Sequence, residues 1–500
     1  MPLAPELLAK VVLAPPTREH GLVLIQLLLY FFCGQAVRVA GRLGAGPLPR
    51  LRARYVAPYV ACGAIWYHFS AFLLLWGGAP SMLTAHLLAL LPFAGLALLR
   101  PREFWNFDKR WTLLALVLLV VAFLPASYGL FQCHAQVWDE FSQWASRPRQ
   151  LFLLDRLPRS TDGVAVVFPP YGLFSNLVAV WSYVLCGYEA TGVATSWTFL
   201  FTILIAVHLY EVLRAVGVSK IMAAPACTLL LTTLCRHQSL LVTSMYADIY
   251  VLLGAALAVP HLFMALYRSR DSADQSEDAV LASSGLAILL FVKSSAEVSA
   301  AALIAYTVAV LLVGSIRHRP PGMGVLATRT PWVILVPALV VRACWGGFIA
   351  LNGPSSSQAI LEQGETLSTK VSLNPQPVFA IVRGAAEGLW QRHPYCVLIC
   401  ELAACWLIHV IRRRVLAGRP GLQPVLALAF WPVAVFAAMV VVYKLVPSLS
   451  TLEADRYCLA MVPGGFIYCV ALFDALIRLG ERETAWYARP LTCPPRGMES

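Results

Sequence analysis

Charge is scarce in this chain: Asp, Glu, Lys and Arg make up 13% of its 500 residues, while 59% are hydrophobic. That is about half the charged share of an ordinary soluble domain. A chain so composed cannot cover itself with polar surface, which excludes a water-soluble globule. Apolar/polar alternation of the kind that marks membrane β-barrel strands is also lacking, because runs such as 111–130 and 425–443 are continuously apolar. No soluble stretch interleaves basic and aromatic residues, so the net charge of +12 does not point to nucleic acid. The 13 cysteines form no CxxC pair and no Cys/His cluster; most lie inside apolar runs, where they read as small core hydrophobes. Residues 1–18 contain Pro2, Pro5, Pro15 and Pro16 but no apolar core with a small-residue cleavage site, so no removable signal peptide is expected. No internal repeat is visible, and the one low-complexity stretch is the polar linker 269–278.

What remains is a series of apolar runs of roughly 17 to 22 residues, the length that spans about 30 Å of hydrocarbon. In that solvent only helices and closed barrels satisfy their own backbone groups, so the expected fold is all-α, a polytopic helical bundle. About thirteen spans are expected, over 21–39, 56–76, 82–99, 112–130, 194–213, 221–241, 248–267, 279–293, 297–314, 331–350, 394–411, 425–444 and 457–477. More than half of the arginines fall in the short connections: Arg38, Arg42, Arg50, Arg52 and Arg54; Arg100, Arg102 and Arg110; Arg214; Arg268 and Arg270; Arg317, Arg319 and Arg329; and Arg412, Arg413, Arg414 and Arg419. Basic loops stay in the cytoplasm, so the charge reports topology. The assignment closes only if 171–187 does not cross the membrane. A surface helix fits there, with Leu173, Leu177, Val180, Trp181 and Val184 on one face and Ser175, Asn176, Ser182 and Tyr183 largely elsewhere.

The organisation expected is therefore N-terminal spans in 1–130, an external segment with a surface helix in 131–193, central spans in 194–350, a second external segment in 351–393, and C-terminal spans with a cytoplasmic tail in 394–500. The short link 446–455 is also external, which puts the long connections, where sites tend to sit, on one side.

Chemistry is concentrated after the fourth run, in Trp138-Asp139-Glu140-Phe141-Ser142-Gln143-Trp144. Two carboxylates beside hydrocarbon are costly unless solvated or paired. They read either as exposed acids in an aromatic belt or as a general base that takes a proton from an acceptor hydroxyl. Lys293 lies between two apolar runs, with Glu297 one helical turn on as its simplest partner. Asp248 opens a span from the outside and reads either as a helix N-cap or as a group for acceptor hydroxyls. Arg456, in Asp455-Arg456-Tyr457, can fork two parallel hydrogen bonds onto a phosphate or can snorkel beside Asp455. Arg236, His237 and His134 are weaker candidates.

The acidic pair, followed by Phe168-Pro169-Pro170-Tyr171-Gly172, resembles the type-C superfamily of polytopic membrane glycosyltransferases, whose Tyr-Pro-Pro-Gly turn leads into a surface helix. Trp-Asp-Glu-Phe-Ser-x-Trp also looks like a signature of bacterial members. Here the acidic segment follows the fourth expected span where the superfamily has it after the first, and Tyr171 stands where the motif has Gly. The resemblance implies a sugar moved from a polyprenyl-phosphate donor to a glycan, lipid or protein acceptor at the outer face of a bacterial inner or plasma membrane. It assigns catalysis to Asp139 with Glu140, and substrate binding to Arg456, Lys293, Asp248, Tyr171, Tyr457 and Trp138. The segment 131–193 has no Asp-x-Asp triplet, so a metal is not required; a divalent cation, if used, would take carboxylate oxygens. Two rival readings share the topology. A transporter or lipid-linked-glycan flippase would need pseudo-repeated halves. An O-antigen ligase or polymerase would use Arg and His in late external segments, for which Arg383, Arg392 and His393 are available.

Overall fold

The computed structural model describes residues 18–42, 55–107, 109–131, 146–159, 172–237, 247–267, 272–317, 329–352, 374–392, 431–445 and 459–487. Its elements are helices: α1 (Arg18–Arg42), α2 (Ala57–Trp76), α3 (Met82–Ala89), α4 (Leu91–Leu99), α5 (Pro101–Phe104), α6 (Lys109–Phe131), α7 (Ser146–Leu154), α8 (Phe174–Cys186), α9 (Thr191–Ala215), α10 (Lys220–His237), α11 (Asp248–Tyr267), α12 (Ser272–Val292), α13 (Ser294–Arg317), α14 (Arg329–Asn352), α15 (Val378–Arg392), α16 (Trp431–Leu445) and, after a 3-10 turn at Leu459–Met461, α17 (Val462–Tyr487). Seven helices among the described residues are long and apolar enough to cross a membrane, which makes the chain a multi-pass integral membrane protein. The expected span 112–130 falls inside α6, 221–241 largely on α10 and 297–314 inside α13, whereas 394–411 lies outside the described residues. The expected span 82–99 is one of the seven, its helix interrupted at Leu90, because Pro92 has no N–H to continue the ladder there.

At two crossings glycine lets helix backbones approach closely. A Cβ at Gly34 of α1 would lie 1.8 Å from the Tyr59 carbonyl oxygen, and one at Gly63 of α2 would lie 1.7 Å from that of Tyr30. At the second crossing, a Cβ on Gly285 of α12 would lie 2.3 Å from the Ala258 nitrogen of α11. Lipid tails are as apolar as leucine, so helices in a bilayer gain by such backbone proximity, which only small residues permit.

The helices alternate in direction and give the bundle two ends. At one end the Tyr188 hydroxyl donates to Glu19 (2.9 Å), the Met82 N–H donates to Asp155 (2.9 Å), and Lys293 meets Asp248. At the other, Arg38 donates to the Glu103 carbonyl (2.7 Å), Trp111 and Val56 donate to Glu211, and His261 meets Asp278. Both described flanks of the segment 132–171, Phe131 and Gly172, belong to the Lys293 end, whereas α12 starts at the Arg38 end.

The helix expected within 171–187 is present as α8, closed by Gly187 at φ 78°. Its 13 residues extend about 20 Å, too short to span hydrocarbon. The polar side of its pattern is covered as well as the apolar side: Asn176 and Ser182 are each 1% exposed, and Ser182 donates to Gln26 of α1 (3.3 Å). Neighbouring helices enclose α8 on both faces.

Candidate functional site

The helical path breaks for one residue at Lys293, between Val292 of α12 and Ser294 of α13. Its ammonium lies 3.0 Å from Asp248 Oδ1, with side chains 6% and 2% exposed. A buried ion pair survives only where attraction and hydrogen bonding offset the loss of water from both groups. Asp248 is the first residue of α11, where the positive end of the helix dipole adds to its stabilisation.

This pairing corrects two expectations. Lys293 does not pair with Glu297; that carboxylate meets Arg342 of α14 at 3.2 Å. Asp248 is not the N-cap either, since the carbonyl that accepts the Val251 N–H belongs to Ala247. The physical reason is the chain break: with Lys293 outside both helices, the spacing that would have put it one turn from Glu297 no longer holds.

Gly172 connects this pair to the proline string. A Cβ there would sit 2.1 Å from the Phe291 carbonyl oxygen, so the backbone that closes Phe168-Pro169-Pro170-Tyr171-Gly172 runs against the last turn of α12, two residues before Lys293. Only glycine fits that approach. Aromatic rings line the surroundings: Phe174 packs edge-on against Tyr250 (5.6 Å between centroids), and Phe291 against Phe72 and Trp345. At the same end, burial and then the Glu19 carboxylate push the Tyr188 hydroxyl up to about 12, so it stays protonated as a donor.

Of the residues singled out in the sequence, the structure brings Lys293 and Asp248 together. Trp138, Asp139, Glu140, Tyr171, Arg456 and Tyr457 lie outside the described residues, as do His134 and His393. Arg383 is an exposed partner of Glu387 on α15, an ordinary pair one turn apart at 2.7 Å. Among the described residues no group of three or more His, Cys, Asp or Glu could hold a metal ion. The sequence reading missed the buried carboxylates Glu211, Glu277 and Asp278, and the histidines His68, His86, His208 and His261, all less than 6% exposed. Charged and imidazole groups inside apolar runs were the available signal.

No protein-family model matches the chain, and no curated protein matches it. Among solved structures it is similar to the crystal structure of ArnT from Cupriavidus metallidurans bound to undecaprenyl phosphate. The identity is 16%, over 76% of this chain and 66% of that one, with a TM-score of 0.47. The chain thus spans just under two thirds of that protein's length.

Proposed function

We propose, from this chain's own residues, that it is a membrane glycosyltransferase of the type-C kind, moving a sugar from a polyprenyl-phosphate donor to an acceptor hydroxyl at the Lys293 end of the bundle. The arginine distribution makes that end the external face. The observation that carries the reading is Gly172 against the Phe291 carbonyl, because it ties the proline string of the superfamily resemblance to a buried lysine–aspartate pair.

In the proposed reaction the acceptor oxygen forms a bond to the anomeric carbon of the donor sugar, and the bond from that carbon to the phosphate oxygen breaks. The electron pair leaves with the polyprenyl phosphate, and the acceptor proton passes to the Asp139 carboxylate. Glu140 orients Asp139 or the acceptor. Charge grows on the departing phosphate, so cations aimed there act when they are needed. Lys293 has this role, exchanging part of its contact with Asp248 for the phosphate, and Arg456 supplies the bidentate contact that an ammonium cannot. Asp248, Trp138, Tyr171 and Tyr457 complete the substrate contacts.

The test follows radiolabelled sugar leaving a polyprenyl phosphate in purified, detergent-solubilised protein supplied with candidate acceptors. Asp139→Asn keeps the shape but cannot take the proton, so transfer is expected to fall by about a hundred- to ten-thousandfold while donor binding persists. Glu140→Gln is expected to be milder. Wild-type transfer by Asp139→Asn would falsify the assignment, and equal loss in both variants would indicate a coupled carboxylate pair.

A further inference from the structure

A second group of polar side chains lies where α2, α3 and α8 meet, and the proposed reaction does not use it. Tyr67 and His68 of α2, His86 of α3 and Trp181 of α8 are in ring contact. His86 stacks on Trp181 with centroids 4.3 Å apart and planes 3° from parallel, and Tyr67 lies 5.6 Å from His86 and 6.0 Å from Trp181. His68 lies 5.1 Å from Tyr67 and 5.6 Å from His86. All four are at most 4% exposed. Each nonetheless holds a buried polar atom with no protein partner: Tyr67 Oη, His68 Nδ1, His86 Nε2 and Trp181 Nε1. Buried polar atoms are rarely left so, and several in one place call for a common partner.

The surrounding hydrogen bonds fix what these atoms offer. The Trp197 indole can only donate, and it donates to Gln26 Oε1 at 3.0 Å. The Gln26 amide nitrogen therefore faces Tyr30 and donates to its hydroxyl at 2.6 Å. That leaves the Tyr30 proton for His68 Nε2, 2.5 Å away, so neutral His68 carries its own proton on Nδ1. His86 has the opposite polarity at the cluster: its Nδ1 lies 2.8 Å from the Met82 carbonyl, which only accepts, so Nε2 presents a bare lone pair. The cluster thus offers N–H groups from His68 and Trp181, a lone pair from His86, and the Tyr67 hydroxyl, which serves either way.

A partner for this set must donate and accept at once and carry no charge. An anion would be repelled by the His86 lone pair, and an ammonium would meet two N–H groups. We propose that Tyr67, His68, His86 and Trp181 hold at least one ordered water inside the bundle, which accepts from His68 and Trp181 and donates to His86. Buried waters typically make two to four hydrogen bonds, and this set supplies them. The water joins α2, α3 and α8, and so fastens the helix that follows the proline string.

Millisecond X-ray radiolysis of the full chain in nanodiscs tests this, because a bound water converted to hydroxyl radical oxidises the side chains beside it. Trp431 is the control: it is equally buried, at 3% exposure, and its indole is bonded to the Ala460 carbonyl at 2.8 Å. Trp181 and Tyr67 are expected to take up oxygen several-fold faster than Trp431, and label from oxygen-18 water should follow. Equal uptake at Trp181 and Trp431 in the wild-type protein overturns the proposal without any variant. His86→Phe keeps the stack and removes the lone pair, so uptake at Trp181 is expected to drop to the control rate; unchanged uptake removes His86 from the site.

Discussion

Asp248 and Glu211 are carboxylates buried at opposite ends of one bundle, and they are held by different means. Asp248 has a counter-ion, the Lys293 ammonium at 3.0 Å. Glu211 is held by neutral donors: its Oε1 accepts from the Val56 N–H and from the Trp111 indole, each at 2.8 Å. It thereby supplies from α9 the side-chain cap that the start of α2 lacks in its own sequence. A carboxylate used as a cap is committed to backbone geometry, and moving it would uncover a helix end. A carboxylate paired with a lysine at a chain break leaves a cation that another anion can recruit. The Lys293 end is thus suited to binding and the Arg38 end to holding the fold.

The sharpest way to break this contrast is Lys293→Met. Removing one member of a buried pair leaves its carboxylate without a counter-ion, and a loss of about 3–5 kcal/mol is expected, read as a lower midpoint of thermal unfolding in detergent. Adding Asp248→Asn should recover much of it, since neighbours in one pair are not additive. A single variant as stable as the wild type would mean that Asp248 does not depend on Lys293.

Glu211→Gln keeps one accepting oxygen for Val56 and Trp111 and puts an amide NH2 in place of Oε2, so its cost is expected to stay near the worth of one hydrogen bond, about 1 kcal/mol. Glu211→Ala removes the cap itself and should cost about 0.5–2 kcal/mol. If Glu211→Gln unfolds the protein as readily as Lys293→Met, the two ends are not held differently. The smallest effect is expected at Arg149, whose pair with Glu189 (3.1 Å) has side chains 61% and 37% exposed. Arg149→Ala should change stability by no more than about 1 kcal/mol, which calibrates the other two.

Much of the fold was legible because hydropathy is a local sum. Among the described residues most of the expected spans are helices close to their expected limits, and the helix after the proline string lies at Phe174–Cys186 inside the stretch assigned to it. Lys293 and Asp248 stood out as ionisable groups beside apolar runs, but their pairing did not. They are 45 residues apart in sequence, and local spacing offered Glu297 first. Nor did composition signal that Gly34 and Gly63 cross, or that the polar side of α8 would be covered by other helices and not by water.

The sequence by itself determined the solvent and the class of structure: a chain this apolar must live in a bilayer, and there it must be helical because backbone groups have no other partner. Its arginines also set the expected direction of each helix. Tertiary structure alone decided which charges meet, which glycines are crossings, and that the rings of Tyr67, His68, His86 and Trp181 come into contact. Those outcomes depend on contacts between distant segments, where a difference of one helical turn changes every partner, and no local pattern of residues encodes them.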